Sequence, residues 1–170
     1  VSTSDAREMV LTGSYREAID AFEALAKEPK TKVPATLGLA EAKMRLGDYT
    51  EAISLLESLE APKSARRHFL LAQLYLITGR YDDADTQARE TLSLEENHAG
   101  ARLLRGRLLE MLGKPDEAIK SMVKLATSTP SVEAYLALSR LQELNGNAAD
   151  ADAARSGAIG CSPMASRSTS

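Results

Sequence analysis

Apolar positions in this chain recur at helical spacing and are interrupted, at a nearly constant interval, by a short glycine-led segment. The segment occurs as Gly13 to Ala18, Gly47 to Ala52, Gly79 to Ala84, Gly113 to Ala118 and Gly146 to Ala151. Successive glycines lie 34, 32, 34 and 33 residues apart. Self-similarity at that period marks stacked repeats. The apolar runs predict helices over about 5–12, 15–28, 35–46, 49–60, 64–78, 81–94, 98–112, 115–128, 131–145 and 148–159.

Each copy reads as a helix end, a tight turn and a helix start. Glycine supplies a left-handed residue without a Cβ clash. Ser14, Asp48 and Asn147 follow where an N-cap belongs, and behind Lys114 stands Pro115, suited to a first helical position that needs no N–H. Acids come next, at Glu17, Glu51, Asp82, Asp83, Asp116, Glu117 and Asp150, where the helix dipole favours negative charge.

The connections are punctuated by proline. Pro29 ends one helix and Lys30 to Pro34 reads as a link; Pro62 with the cap candidate Ser64 opens the next hairpin; Pro130 closes another. The shortened interval between Gly47 and Gly79 is placed at the turn Ala61 to Lys63. Residues before Met9 are short and polar, so 5–12 reads as the second half of a helix and the first repeat as incomplete. Asp152 and Arg155 give the last helix the polar face that a terminal repeat needs. The array is placed at 1–163, with repeats at about 1–30, 33–63, 64–96, 98–130 and 131–160, and residues 161–170 as a disordered tail or an expression remnant.

Composition sharpens this picture in one respect. The chain is 44% hydrophobic but only 4% aromatic and lacks Trp, so packing rests on Leu, Ala, Ile and Met and helices must approach closely. A formal charge of −3 makes no broad electrostatic case for nucleic acid or an anionic membrane surface. Cys161 is the one cysteine, and no apolar run is long enough to insert into a membrane. The chain starts at Val1 already inside the pattern, which allows for a removed leader or upstream domain and leaves the compartment open between cytoplasm and periplasm.

These residues resemble the tetratricopeptide repeat. A small residue stands seven places before each turn glycine, at Ala6, Ala40, Ala72, Gly106 and Ser139, and alanine stands five places after it, at Ala18, Ala52, Ala84, Ala118 and Ala151. Tyr15, Tyr49 and Tyr81 match the tyrosine two places after the glycine, and Pro130 and Pro163 the closing proline. Arg105, Asp85 and Asp152 depart from the pattern by standing at apolar positions. The resemblance implies an all-α superhelix of about five helix hairpins whose first helices line a concave groove that binds a peptide or helix of a partner protein.

Carried over by position, the groove candidates are Leu37, Phe69, Leu103 and Leu136 as an apolar line, with Glu41, Gln73, Arg107 and Arg140 beside it and Arg66 at its edge. Arg107 and Arg140 are expected to orient the partner segment. The asparagine and arginine clamp by which some family members hold a chaperone's terminal carboxylate is not reproduced at Gly38, Leu70, Leu104 and Ala137 or on the row of Glu41, Gln73, Arg107 and Arg140.

Catalytic chemistry has little to stand on. His68 reads as a packing histidine, His98 as a turn residue and Cys161 as an incidental thiol, and no metal, nucleotide or redox motif is present, so no cofactor is expected. Arg102, Arg105 and Arg107 form a basic cluster, read first as a structural ion-pair group with Asp85 or Glu95 and second as an anion or acidic-partner site. The expectation is a non-catalytic protein-interaction scaffold. The alternative is an accessory repeat domain that positions a catalytic partner domain within a larger enzyme or a secretion or assembly component, and self-association through the end repeats is a further expectation.

Overall fold

The computed structural model describes residues 1–162, which form ten α-helices and no strand. They are α1 (Thr3–Leu11), α2 (Tyr15–Leu25), α3 (Lys32–Leu46), α4 (Tyr49–Glu57), α5 (Ala65–Ile77), α6 (Tyr81–Leu94), α7 (Ala99–Met111), α8 (Pro115–Ser128), α9 (Val132–Leu144) and α10 (Ala148–Gly160). Two compact units divide within α6, one spanning Val1–Gln87 and the other beginning at Ala88. The expected disordered tail lies outside the described residues from 163 onward. Of the residues assigned to it, Cys161 is described as the C-cap of α10.

All five turn glycines are left-handed, with φ between 71° and 90°. The residue after each glycine closes the helix behind it through a six-residue loop. Its N–H donates to the carbonyl five residues back, in the pairs Ser14 to Met9, Asp48 to Lys43, Arg80 to Tyr75, Lys114 to Leu109 and Asn147 to Gln142, all at 2.8–2.9 Å. Its carbonyl then accepts from the N–H of the alanine four residues on, which opens the next helix. One residue thus serves as the end of one helix and the start of another.

That double duty corrects the expected caps. Ser14, Asp48 and Asn147 occupy the N-cap position, but their side chains make no capping bond. Their ψ values are 59°, 58° and 66°, far from extended backbone. Side-chain caps appear instead where the preceding loop is extended, at Ser2, Ser64, His98 and Ser131. Ser2 forms a reciprocal capping box with Asp5 at the start of α1. The link drawn at 30–34 is displaced to 26–31, because α2 ends at Leu25 and α3 begins at Lys32 with Pro34 in its first turn, where the missing N–H breaks no helical bond.

Small residues let paired helices close up. Ala18, Ala52, Ala84, Ala118 and Ala151 are wholly buried, as are Ala6, Ala40 and Ala72. In the first unit the Phe22 ring of α2 lies against Gly38 of α3, beside Ala35, Leu39 and Ala42. In the second, Met122 and Leu125 of α8 meet Leu109 of α7 and Leu138 and Leu141 of α9. The polar residues of the last helix are tied down: Arg155 bonds Asp152 at 2.5 Å, Ser139 at 3.3 Å and the Glu143 carboxylate.

Two glycines differ in how much a methyl group would disturb. A Cβ on Gly38 would fall 2.3–2.8 Å from ring atoms of Phe22, whereas one on Gly106 would meet the flexible end of Met122 at 2.7 Å. Alanine gains roughly 1 kcal/mol of helix propensity over glycine. Gly38→Ala is expected to be destabilising by about 1–3 kcal/mol despite that gain, since the buried Phe22 ring must shift to admit the methyl group, while Gly106→Ala stays near neutral. Urea midpoints of the two variants check this, and a Gly38→Ala protein as stable as the parent would mean the ring can yield.

Candidate functional site

The second unit carries a cleft of about 830 Å³ between α7 and α9, with Met122 of α8 at its floor. Leu103, Gly106 and Arg107 line it from α7, and Ala137, Arg140 and Leu141 from α9. Three of the groove residues expected from sequence, Leu103, Arg107 and Arg140, therefore share one cavity. Leu136 lies outside its lining and is 51% exposed. Met111 and Leu144, at the ends of the same two helices, are 54% and 68% exposed.

The charges in this cleft are not equivalent. Arg140 forms a two-pronged bond with Glu110, Nη1 to Oε1 at 2.8 Å and Nη2 to Oε2 at 2.6 Å, joining α9 to α7. The Glu110 hydrogen bond raises the Arg140 pKa further above its ordinary value, so the guanidinium stays charged and engaged. Arg107 is exposed and has no ion-pair or hydrogen-bond partner among the described residues. Of the two arginines expected to orient a partner, Arg107 is the available one.

In the first unit the expected positions are used differently. Leu37 is buried, with 6% exposure, so it packs between helices. Arg66 of α5 donates to Glu41 of α3 at 2.6 Å, a link between successive hairpins. Phe69 and Gln73 are half-buried on α5. Sequence position alone did not separate these roles. The Arg140 to Glu110 pair, spaced 30 residues apart, was equally invisible to local spacing.

The histidines are structural. His68 is buried: its Nε2–H donates to the Pro62 carbonyl at 2.9 Å, and Nδ1 meets the Gln87 side chain at 2.7 Å, which ties α5 to α6. His98 does more than turn the chain, because its Nδ1 accepts the Ala101 N–H at 3.0 Å and caps α7. Arg102 is buried and donates twice to the Glu96 carbonyl, at 3.0 and 2.6 Å. Among the described residues no group of three or more His, Cys, Asp or Glu is placed to hold a metal, and no helix is long and apolar enough to cross a membrane.

A model of the tetratricopeptide repeat matches residues 10–61 and again 46–92. Residues 10–92 belong to the tetratricopeptide repeat family. A crystal structure of MamA superposes with a TM-score of 0.80 at 20% identity, covering 94% of this chain and 95% of that one. TTC0263, described as a thermophilic tetratricopeptide protein of Thermus thermophilus, gives 0.76 at 21% identity, covering 95% and 92%. No significantly similar sequence is found among curated proteins. At such identities the likeness establishes the fold, an all-α solenoid of helix hairpins, and tetratricopeptide proteins are generally non-catalytic scaffolds for protein–protein interaction.

One strongly shifted group belongs to that scaffold. Tyr75 is buried on α5, and burial together with its 2.6 Å hydrogen bond to Glu57 pushes the phenol up to about 12. Arg80 lies over its ring at 4.1 Å and also reaches Glu57 and Asp83. A phenol held this firmly neutral is a poorer base or nucleophile than a free one, so the shift points to packing. Because the folded pKa exceeds the unfolded value, its stabilisation is complete below pH 10 and is lost as pH rises through about 12. Denaturation at successive pH values should show the parent losing more stability than Tyr75→Phe over that window, and identical losses would place the cause elsewhere.

Proposed function

We propose that this tetratricopeptide repeat chain is a non-catalytic protein-interaction module that captures a partner segment in the cleft between α7 and α9. The observation that carries the reading is the pairing, in one cavity, of an apolar floor with an unengaged cation. Leu103 and Ala137, half-buried, and the exposed Met111 offer the apolar surface over the buried Leu141 and Met122, and Arg107 stands exposed beside them. Glu133, also in the lining, is exposed in the first turn of α9.

This combination suits an amphipathic helix or extended segment with one or two apolar anchors and a carboxylate set to meet Arg107. Apolar contacts supply most of the affinity in such a site, and the charge selects orientation. Arg140 contributes as a wall, because its guanidinium is already engaged by both oxygens of Glu110.

A library of short peptides on a solid support, probed with the parent and with Arg107→Glu, tests the reading. Arg107 is an exposed side chain, so circular dichroism of the variant should match the parent. The parent is expected to select peptides that combine apolar anchors with an acid, and Arg107→Glu to lose them or to exchange the acid for a base. Selection of the same peptides by both proteins would move the binding surface away from this cleft.

A further inference from the structure

A second cleft of the same unit lies on the α6, α7 and α8 side, with a volume of about 520 Å³. Its counterpart in the first unit, about 640 Å³, lies between α2, α3 and α4. Counted from the turn glycines, the two occupy the same register of the repeat, yet their chemistry differs. Leu39 of the first cleft corresponds to Arg105 of the second, each eight places before its glycine. Ser54 corresponds to Lys120, seven places after, and Ser58 to Lys124, eleven places after. Glu23 corresponds to Arg89, ten places after the preceding glycine.

The consequence is a local excess of positive charge. The first cleft is balanced, with two lysines and two glutamates, and one of each is paired, Lys43 to Glu51 at 2.7 Å. The second is lined by five cations and two carboxylates, in a chain whose formal charge is −3. Arg102 supports the wall by holding the Glu96 carbonyl, and Arg89 and Arg105 are engaged by neighbours. Lys120 is exposed with no partner among the described residues. Lys124 meets Glu96 at 3.0 Å, but both side chains are more than half exposed, at 58% and 72%, so the pair is weak and readily exchanged.

We infer that this basic trough is a second interaction surface, one that takes a carboxylate-rich segment of a partner protein. Electrostatic complementarity selects the occupant: positive potential focused in a concave surface attracts and orients an acidic chain. Nucleic acid fits less well. Glu96 and Glu117 would face a phosphate backbone, and no aromatic side chain lines the trough for a base to stack on. The inference does not depend on the α7–α9 cleft, which is built from other residues.

Fluorescence anisotropy of a labelled oligoglutamate peptide with the whole chain tests it. Lys120→Ser with Lys124→Ser installs the residues found at the same register in the first cleft, and both positions are exposed, so folding is preserved. The parent is expected to bind the peptide with an affinity that falls as salt is added, and the double variant to bind roughly fivefold or more weakly. Unchanged affinity in the double variant overturns the inference, and its loss with Arg107→Glu instead would assign the peptide to the α7–α9 cleft. Tighter binding of a labelled single-stranded oligonucleotide than of oligoglutamate overturns it in favour of nucleic acid, and no binding of either probe to the parent overturns it outright.

Discussion

The six-residue loop at each turn glycine is the constraint on which the helix pairs depend. A left-handed glycine lets the next N–H reach back to the last turn of the preceding helix while the same residue's carbonyl starts the following one. No spare residue is left between helices, so the exit direction of one and the entry direction of the next are set by the same few dihedral angles. Each hairpin satisfies its own backbone polar groups at the turn, and long-range contacts need only supply apolar burial.

Close approach follows from this geometry and explains the composition. Two helices joined by so short a turn have little room between them, and alanine five places after the glycine is wholly buried in every copy. Two of the rings are received by a glycine, Phe22 by Gly38 and Tyr135 by Gly157. The scarcity of aromatic residues is thus a consequence of the turn.

What was legible in the sequence divides along the same line. The turn glycines, the buried alanines and the helices between them are local facts, fixed by spacing within a few residues, and they could be read directly. The caps were misread because position was right but backbone angle was not visible: Asp48 stands at an N-cap with ψ near 58°, and its carboxylate makes no bond to the N–H groups it would cap. Cross-hairpin relations were the hardest. Leu37 and Leu136 share a register, yet one is buried and the other half exposed, because the neighbours that cover them come from elsewhere in the chain. Arg107 and Arg140 share a register as well, and only a glutamate on the facing helix distinguishes the engaged one from the available one.

Net charge was informative at one scale and silent at another. A total of −3 describes the field far from the molecule, and it argues against general attraction of polyanions. Within a cleft only charges closer than about one screening length, roughly 8–10 Å, are felt strongly. Arg89, Arg105, Lys120 and Lys124 come from three helices and gather on one side of the second unit, while the acids that outnumber the cations are spread along the whole chain. A repeat fold makes such separation easy, because the backbone and the buried alanines demand nothing of the residues that face outward. On the reading proposed, partner choice in this chain resides in side chains that the repeat pattern leaves free, and the two clefts of the second unit, one apolar with an unengaged arginine and one basic, are suited to different chemistries on a common frame.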